Sequence, residues 1–258
     1  GIGHTRWATH GAPNDVNAHP HLSEDGRLAV IHNGIIENFA ELRDQLQAGG
    51  ATFLSETDTE VAAHLLARML ADSGDLTEAM QRTCRELRGA FTLVAASADY
   101  PDTLVGARRN SPLVVGLGDG ETFLASDVSA FIAHTRQAME LGQDQVITIT
   151  RDGVEVSDFD GAPAKGTEYE VTWDASAAEK GGYDLFMLKE IAEQPKAVAD
   201  TLLGRITDDN RLVLEGLTIS DTELREIDKI VVAACGTAYH AGMVAKYAIE
   251  HWTRIPVE

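Results

Sequence analysis

Five of the nine histidines fall within the first 38 residues, together with Arg6, Trp7, Thr9 and the pair Asn33-Gly34. These are the residue types that grip a small polar ligand and a developing anion. Arg6 is a permanent cation whose planar fork suits a carboxylate in a bidentate way. The Asn33 amide and the backbone N–H that follows it can converge on an oxyanion, and Gly34 lets that backbone come close. Asn-Gly is also a common hairpin signal, so a plain turn stays open as the other reading. A hairpin needs two strands, and the flank after Gly34 looks helical, which favours the oxyanion. No apolar period of 2 or 3.6 appears before Leu28, as expected of loops that line a ligand rather than a core.

These groups need a frame. Residues 28–32 alternate as a strand, and the apolar residues after Gly34 follow a helical period, so the spacing predicts strand, Asn-Gly, helix. Helices are expected at 36–47, 57–72 and 76–88, separated by Gly49-Gly50 and Ser73-Gly74. Thr57 with Glu60 reads as a capping box. Asp58 then falls in a first turn, where a carboxylate suits the helix dipole and can also face a pocket. Cys84 lies inside the third helix and reads as a small core residue. Strands are expected at 90–96, 103–107, 113–116, 122–125, 146–150 and 154–156, joined by short Gly, Asp and Pro turns. The run Gly116-Leu-Gly-Asp-Gly120 has the glycines of a phosphate loop, but no helix follows at once, so a hairpin loop is expected. Pattern alone supports a mixed α+β fold.

Residues 158–182 are rich in Gly, Ala and charge without a period, and are expected to connect two domains. Beyond them an amphipathic helix at 183–194 should stop at Pro195, with another at 196–205. Residues 229–235 form a buried-strand run, followed by Gly236-Thr237 and a helix at 238–251. Strand, small residues, helix can cradle a phosphate on the free N–H groups at the helix start. The same pattern fits an ordinary strand-to-helix turn with Thr237 as N-cap.

The chain has 258 residues, of which 44% are hydrophobic, enough for a sizeable core. Its formal charge of −20 argues against nucleic acid and against anionic membranes as partners. Two distant cysteines, Cys84 and Cys235, make no disulfide framework, and no apolar run approaches the ~20 residues of a membrane helix. With no targeting segment visible, the cytoplasm is the expected compartment.

Four motifs in order carry a resemblance: His4-Thr-Arg-Trp-Ala-Thr-His-Gly11, Asn17-Ala-His-Pro-His21, His32-Asn-Gly-Ile-Ile-Glu-Asn38 and Ser55-Glu-Thr-Asp-Thr-Glu-Val61. Together they closely resemble the glutaminase domain of the glucosamine-6-phosphate synthase family of glutamine amidotransferases. The resemblance implies an N-terminal-nucleophile-type αββα sandwich, in which a free N-terminal Cys attacks the side-chain amide of glutamine. It implies that Arg6 binds the glutamine carboxylate and Asp58 its ammonium. Trp7, Thr9 and His10 would line the pocket, and Asn33 with Gly34 would form the oxyanion hole. The run from Lys189 to Pro195 resembles the opening helix of the family's sugar-phosphate domain, and Cys235-Gly-Thr237 its first loop. By that likeness Cys235, Gly236 and Thr237 would contact the sugar phosphate. The implied layout is a glutaminase domain at 1–157, a linker at 158–182 and the first βα unit of a sugar isomerase domain at 183–258. The implied partners are glutamine and fructose 6-phosphate, converted to glutamate and glucosamine 6-phosphate without metal or organic cofactor. The whole enzyme is expected to be a homo-oligomer through the sugar isomerase domain. The sequence starts at Gly1 and has no Cys before Cys84, so this chain is expected to be an internal piece without the nucleophile, inactive by itself.

Three other readings compete. A phosphoribosyl-amine-forming amidotransferase shares the nucleophile fold and an Asn-Gly, but Cys235-Gly-Thr fits a sugar isomerase domain better. A metal-dependent hydrolase would use His19 and His21, with His10 or His32 as a third ligand, yet the usual carboxylate partners and helix spacing are missing. A non-catalytic sugar-phosphate-binding protein built on the Cys235 loop leaves the glutaminase-like region unexplained.

Overall fold

The apolar alternation that starts at Leu28 does not stop at the Asn-Gly pair. After the short β1 (His21–Leu22), β2 runs over Leu28–Ile36, and Leu28, Val30, His32 and Ile36 form its buried face. Helix α1 (Phe39–Ala48) therefore begins later than residue 36. Ile35 and Ile36 are paired with Ala90 and Gly89, and the Ile36 N–H donates to the Asp58 carboxylate, so neither is free to enter a helix. Gly34 makes the longer strand possible. Its φ is +136°, and a Cβ there would lie 2.1 Å from the Ala90 carbonyl oxygen. The turn reading of Asn33-Gly34 and the strand–turn–helix order are both corrected by this pairing.

This computed structural model describes residues 1–172, 182–202, 205 and 219–258, and it divides into two units, Gly1–Gly182 and Tyr183–Glu258. In the first unit α2 (Asp58–Ser73) and α3 (Leu76–Glu86) start at side-chain caps. Thr57 Oγ1 accepts from the Glu60 N–H at 3.2 Å, and Asp75 accepts from the Glu78 N–H at 2.8 Å. The expected capping box is only half made, because the Glu60 carboxylate accepts from the N–H groups of Leu54 and Ser55 instead of Thr57.

The remaining strands of this unit are β3 (Gly89–Ser97), β4 (Tyr100–Arg109), β5 (Val114–Leu117), β6 (Thr122–Ala125), β7 (Gln137–Glu140), β8 (Gln145–Thr150), β9 (Gly153–Asp158) and β10 (Thr167–Glu170). They complete a 6-stranded sheet in the order β1-β2-β3-β4-β8-β9 and a 4-stranded sheet in the order β10-β7-β5-β6, with every strand pair antiparallel. Helices α2 and α3 pack on one face of the larger sheet around Leu65, Met80, Phe91 and Leu93. Its other face, through Val94, Ile147 and Ile149, packs on Leu113, Val115 and Met139. Each such fully buried side chain contributes about 1.5–3 kcal/mol. The outer face of the smaller sheet carries Val114 and Ala138, covered by Phe131, Ile132 and Val171 beside a 3-10 turn at Val128–Ala130. The two packed sheets and the helices on the larger one are as the αββα sandwich requires, and on the outer side of the smaller sheet the described residues place that short turn where the expected second helical layer would lie.

The expected linker is partly incorporated. Phe159 and Val171 are buried, and β10 pairs with β7, so the first of its residues build the first unit. Residues 173–181 of that stretch lie outside the described residues.

In the second unit α4 (Phe186–Leu202) runs through Pro195 instead of ending there. Proline costs one backbone donor and crowds the preceding turn, yet the helix continues for seven residues past it. Residues 203–204 of the second expected helix lie outside the described residues. Helix α5 (Asp221–Glu226) follows, with a full capping box between Ser220 and Glu223. Residues 229–235 are not a buried strand: Ile230 bridges Val257, the Val232 N–H donates to the Glu258 carbonyl, and Val231 is exposed. Helix α6 (Gly236–Thr253) starts two residues before the expected position, so Cys235 and not Thr237 takes the N-cap. Among the described residues no helix is long and apolar enough to cross a membrane.

Candidate functional site

Strand β2 delivers His32, Asn33 and Gly34 to one place, and the capped start of α2 brings Thr57, Asp58 and Thr59 against them. The N-terminal loop supplies the rest. The result is a cavity of about 320 Å³ lined by Arg6, Trp7, Thr9, His10, Asn33, Gly34 and Asp58, joined by His4, His19, His32, Ile35, Thr57 and Thr59. All seven residues named from the sequence for a glutamine site therefore meet in one cavity. The six others were not named for it. His19 and His32 stood out only as metal candidates and Thr57 only as a cap, while Thr59 was passed over, its contact with His32 being absent from the Thr-Asp-Thr run that contains it.

Asp58 is 3% exposed, and its Oδ2 accepts the Ile36 N–H at 2.9 Å. Nδ1 of His10 and Nδ1 of His32 each stand 3.9 Å from its carboxylate. A carboxylate so placed keeps acceptor capacity for a cationic group in the cavity. Arg6 sits at φ +45°, its backbone N–H donating to His4 Nδ1 at 3.0 Å. Its guanidinium donates to the carbonyls of His10 at 2.6 Å, Ala12 at 3.2 Å and Gly11 at 3.3 Å, which folds the loop around the cation. Trp7 is 92% exposed at the rim. The loop is tied to the frame at Asn17, whose side chain donates to the Ala12 carbonyl and accepts the Glu56 N–H, each at 3.0 Å.

Four of the histidines, His4, His19, His21 and His32, are held toward the neutral form. Burial, reinforced by His4, His21, His32 and Arg6, lowers His19 to about 3. Burial lowers His32 to about 4 against the opposing pull of Asp58. His4 and His21 are also lowered, chiefly by burial. Burial would raise Glu60, yet the neighbouring His64 and the donors of Leu54 and Ser55 hold it down at about 2. His19 and His21 lie with ring centroids 5.1 Å apart, but their Nε2 atoms face the hydroxyls of Thr59 and Thr57 at 3.2 and 3.0 Å. Among the described residues no three His, Cys, Asp or Glu side chains converge as metal ligands, so the metal reading finds no third partner there.

Neither cysteine lines the cavity. Cys84 is buried in α3, where burial pushes its thiol well above the ordinary range. Cys235 is exposed at the start of α6 in the second unit, followed by Gly236 at φ +60° and by Thr237 in the first turn.

Comparison with known proteins adds to this geometry. Residues 4–133 match the family described as "Glutamine amidotransferase domain". The chain is 68% identical over its whole length to the glutamine–fructose-6-phosphate aminotransferase (isomerizing) of Streptomyces coelicolor, 63% to that of Corynebacterium efficiens and 60% to that of Mycolicibacterium smegmatis. It spans 42% of the length of each of these relatives. Among solved structures, the glutamine phosphoribosylpyrophosphate amidotransferase from B. subtilis is 27% identical with a TM-score of 0.50, covering 60% of this chain and 34% of its own. A structure described as the allosteric regulatory enzyme of purine biosynthesis is 28% identical with a TM-score of 0.52, over 60% of this chain and 34% of that one.

Proposed function

The chain belongs to the glutamine amidotransferase domain family, and from that premise we propose that its cavity takes free glutamine and that the protein uses the released ammonia to aminate fructose 6-phosphate. The fold is that of the N-terminal-nucleophile-type amidotransferases. The observation that carries the glutamine reading is the meeting of a permanent cation, Arg6, and a buried carboxylate, Asp58, on one cavity with Asn33-Gly34. A free amino acid needs one cation and one anion at its two ends, and its amide needs donors where charge develops. Arg6 takes the α-carboxylate, Asp58 the α-ammonium, and Trp7, Thr9 and His10 enclose the chain between them. The Asn33 amide and the backbone at Gly34 receive the oxyanion.

The family's chemistry is nucleophilic attack by a cysteine thiolate, with no metal or organic cofactor. Neither the buried thiol of Cys84 nor Cys235 lines the cavity to serve as that nucleophile, so the 258-residue chain by itself is expected to release no glutamate. The sugar reading rests on the three relatives named above, glutamine–fructose-6-phosphate aminotransferases at 60–68% identity over the whole chain. Cys235, Gly236 and Thr237 would then contact the sugar phosphate, and residues 183–258 would open a sugar isomerase domain that also pairs subunits, in a cytoplasmic enzyme. A phosphoribosyl-amine-forming enzyme has fold likeness in its favour, but that likeness covers 60% of the chain at 27–28% identity. The deciding experiment takes a protein carrying this chain over its relatives' full length and supplies glutamine with either fructose 6-phosphate or phosphoribosyl pyrophosphate. Formation of glucosamine 6-phosphate is expected, and formation of phosphoribosylamine would overturn the proposal.

A further inference from the structure

Thr59 sits between two imidazoles. Its hydroxyl oxygen lies 2.9 Å from Nδ1 of His32 and 3.2 Å from Nε2 of His19, although Thr59 and His32 lie 27 residues apart in sequence. Thr59 is 1% exposed and His32 4%. The two outer ring nitrogens, Nδ1 of His19 and Nε2 of His32, are buried and make no hydrogen bond among the described residues. Both rings line the cavity that holds Asp58 and Asn33.

Proton counting restricts this trio. Burial keeps both rings neutral, with His19 lowered to about 3 and His32 to about 4, so each carries one N–H at neutral pH. A hydroxyl has one proton to donate and lone pairs to accept with. Satisfying both contacts then leaves two arrangements. In one, His19 Nε2–H donates to Thr59, Thr59 donates to His32 Nδ1, and His32 carries its proton on Nε2. In the other, His32 Nδ1–H donates to Thr59, Thr59 donates to His19 Nε2, and His19 carries its proton on Nδ1. Any mixed arrangement leaves one of the two nitrogens that face Thr59 without a hydrogen bond or makes the hydroxyl accept twice with its own proton unplaced, at a cost comparable to a lost hydrogen bond.

We propose that Thr59 locks the tautomers of His19 and His32 together and so lets the trio pass a proton between Nδ1 of His19 and Nε2 of His32. The transfer balances when a ligand or water in the cavity supplies the first proton and takes the last. A proton bonds to His19 Nδ1, the Nε2 proton moves to Thr59 Oγ1, the Thr59 proton moves to His32 Nδ1, and the Nε2 proton of His32 leaves. One arrangement becomes the other, and the return runs in reverse. Amide hydrolysis needs a proton given to the departing nitrogen and one taken from water, which is the use such a relay has beside this cavity. That use rests on the glutamine reading, whereas the coupling rests on the hydrogen bonds alone. Thr59 is a positioning residue in this scheme.

The test is a long-range 1H–15N spectrum of the chain labelled at histidine nitrogen, at neutral pH, with His19→Gln and His32→Gln assigning the two rings. Both rings are expected as Nε2–H, or both as Nδ1–H, and Thr59→Ser is expected to keep the match. Thr59→Val, which has the shape without the hydroxyl, is expected to lose it, with at least one ring changing or averaging its tautomer. One ring as Nε2–H with the other as Nδ1–H in the unmodified chain overturns the proposal, and so does a match that persists in Thr59→Val. Should Thr59→Val fail to fold, the unmodified and Thr59→Ser spectra still decide. Failure of the glutamine reading would show separately, as matched rings in a chain to which glutamine does not bind.

Discussion

The cavity has two walls of different make. One is a frame: His32, Gly34, Asp58 and Thr59 stand on β2 and α2, where His32, Asp58 and Thr59 are buried and each is hydrogen-bonded across to the other of these two elements. The other is a loop: Arg6, Trp7 and Thr9 lie in a stretch without helix or strand, and its cation is folded around the carbonyls of its own residues 10–12. The difference separates two tasks. On the proposed reading, the oxyanion donors and the carboxylate for the ammonium stand on the frame, while Arg6, Trp7 and Thr9, which would admit and enclose the ligand, stand on backbone outside helix and strand.

The strongest way to break the comparison is Gly34→Ala. Its Cβ would meet the Ala90 carbonyl at 2.1 Å from a backbone that L side chains rarely adopt, so a loss of about 4 kcal/mol in urea unfolding of the chain is expected. A loss under about 1 kcal/mol would show that the frame yields as the loop does.

Next comes Asn33→Ala in a protein of the relatives' full length. Turnover should fall by about 10²–10³-fold, with a smaller effect on glutamine binding, the cost of removing one oxyanion donor. Equal loss in binding and none in turnover would move Asn33 to the enclosing wall.

Acid should loosen the frame. His19 and His32 have folded values lowered to about 3 and 4, below the ordinary 6.5, so between those limits the unfolded chain binds more protons. Stability from the neutral rings is then complete above pH ~6.5 and is lost as pH falls toward 4. Glu60, lowered from 4.5 to about 2, adds a loss of the same sign at lower pH, present above 4.5 and gone as pH passes 2. A drop of about 1–3 kcal/mol in urea stability from pH 7 to pH 5 is expected, and a flat profile over that range would contradict it. The smallest effect belongs to Trp7→Ala. With the side chain 92% exposed, stability should stay within about 0.5 kcal/mol while glutamine affinity falls.

Much of this frame was legible before the structure. The cap Thr57 and the Gly-containing breaks fix α2 and α3 within a residue or two, because local hydrogen bonds and helix breakers decide where a helix starts. Asn33-Gly34 misled because the sequence shows what Gly permits and not which neighbour exploits it: here Ala90 of β3 claims the position for a strand. The short strands β7 and β10 were missed, since Gln137–Glu140 and Thr167–Glu170 carry charge and little alternation, and it is the pairing of β7 with β5 and of β10 with β7 that makes them strands. On the site, the loop residues and Asp58 were legible through the motifs they share with a known family. Thr59 and His32 were not, because their contact spans 27 residues and exists only once α2 packs on β2.

The central claim is that one cavity grips both ends of one amino acid, and the direct test pairs two variants with two truncated ligands by calorimetry. Glutamine should bind the chain better than glutaramate, which lacks the α-amine, and better than 4-aminobutanamide, which lacks the α-carboxylate. Asp58→Asn should abolish the preference over glutaramate and leave the other, whereas Arg6→Ala should abolish the preference over 4-aminobutanamide alone. If both preferences survive in both variants, Arg6 and Asp58 do not hold the two ends of the ligand, and the assignment of this cavity is wrong.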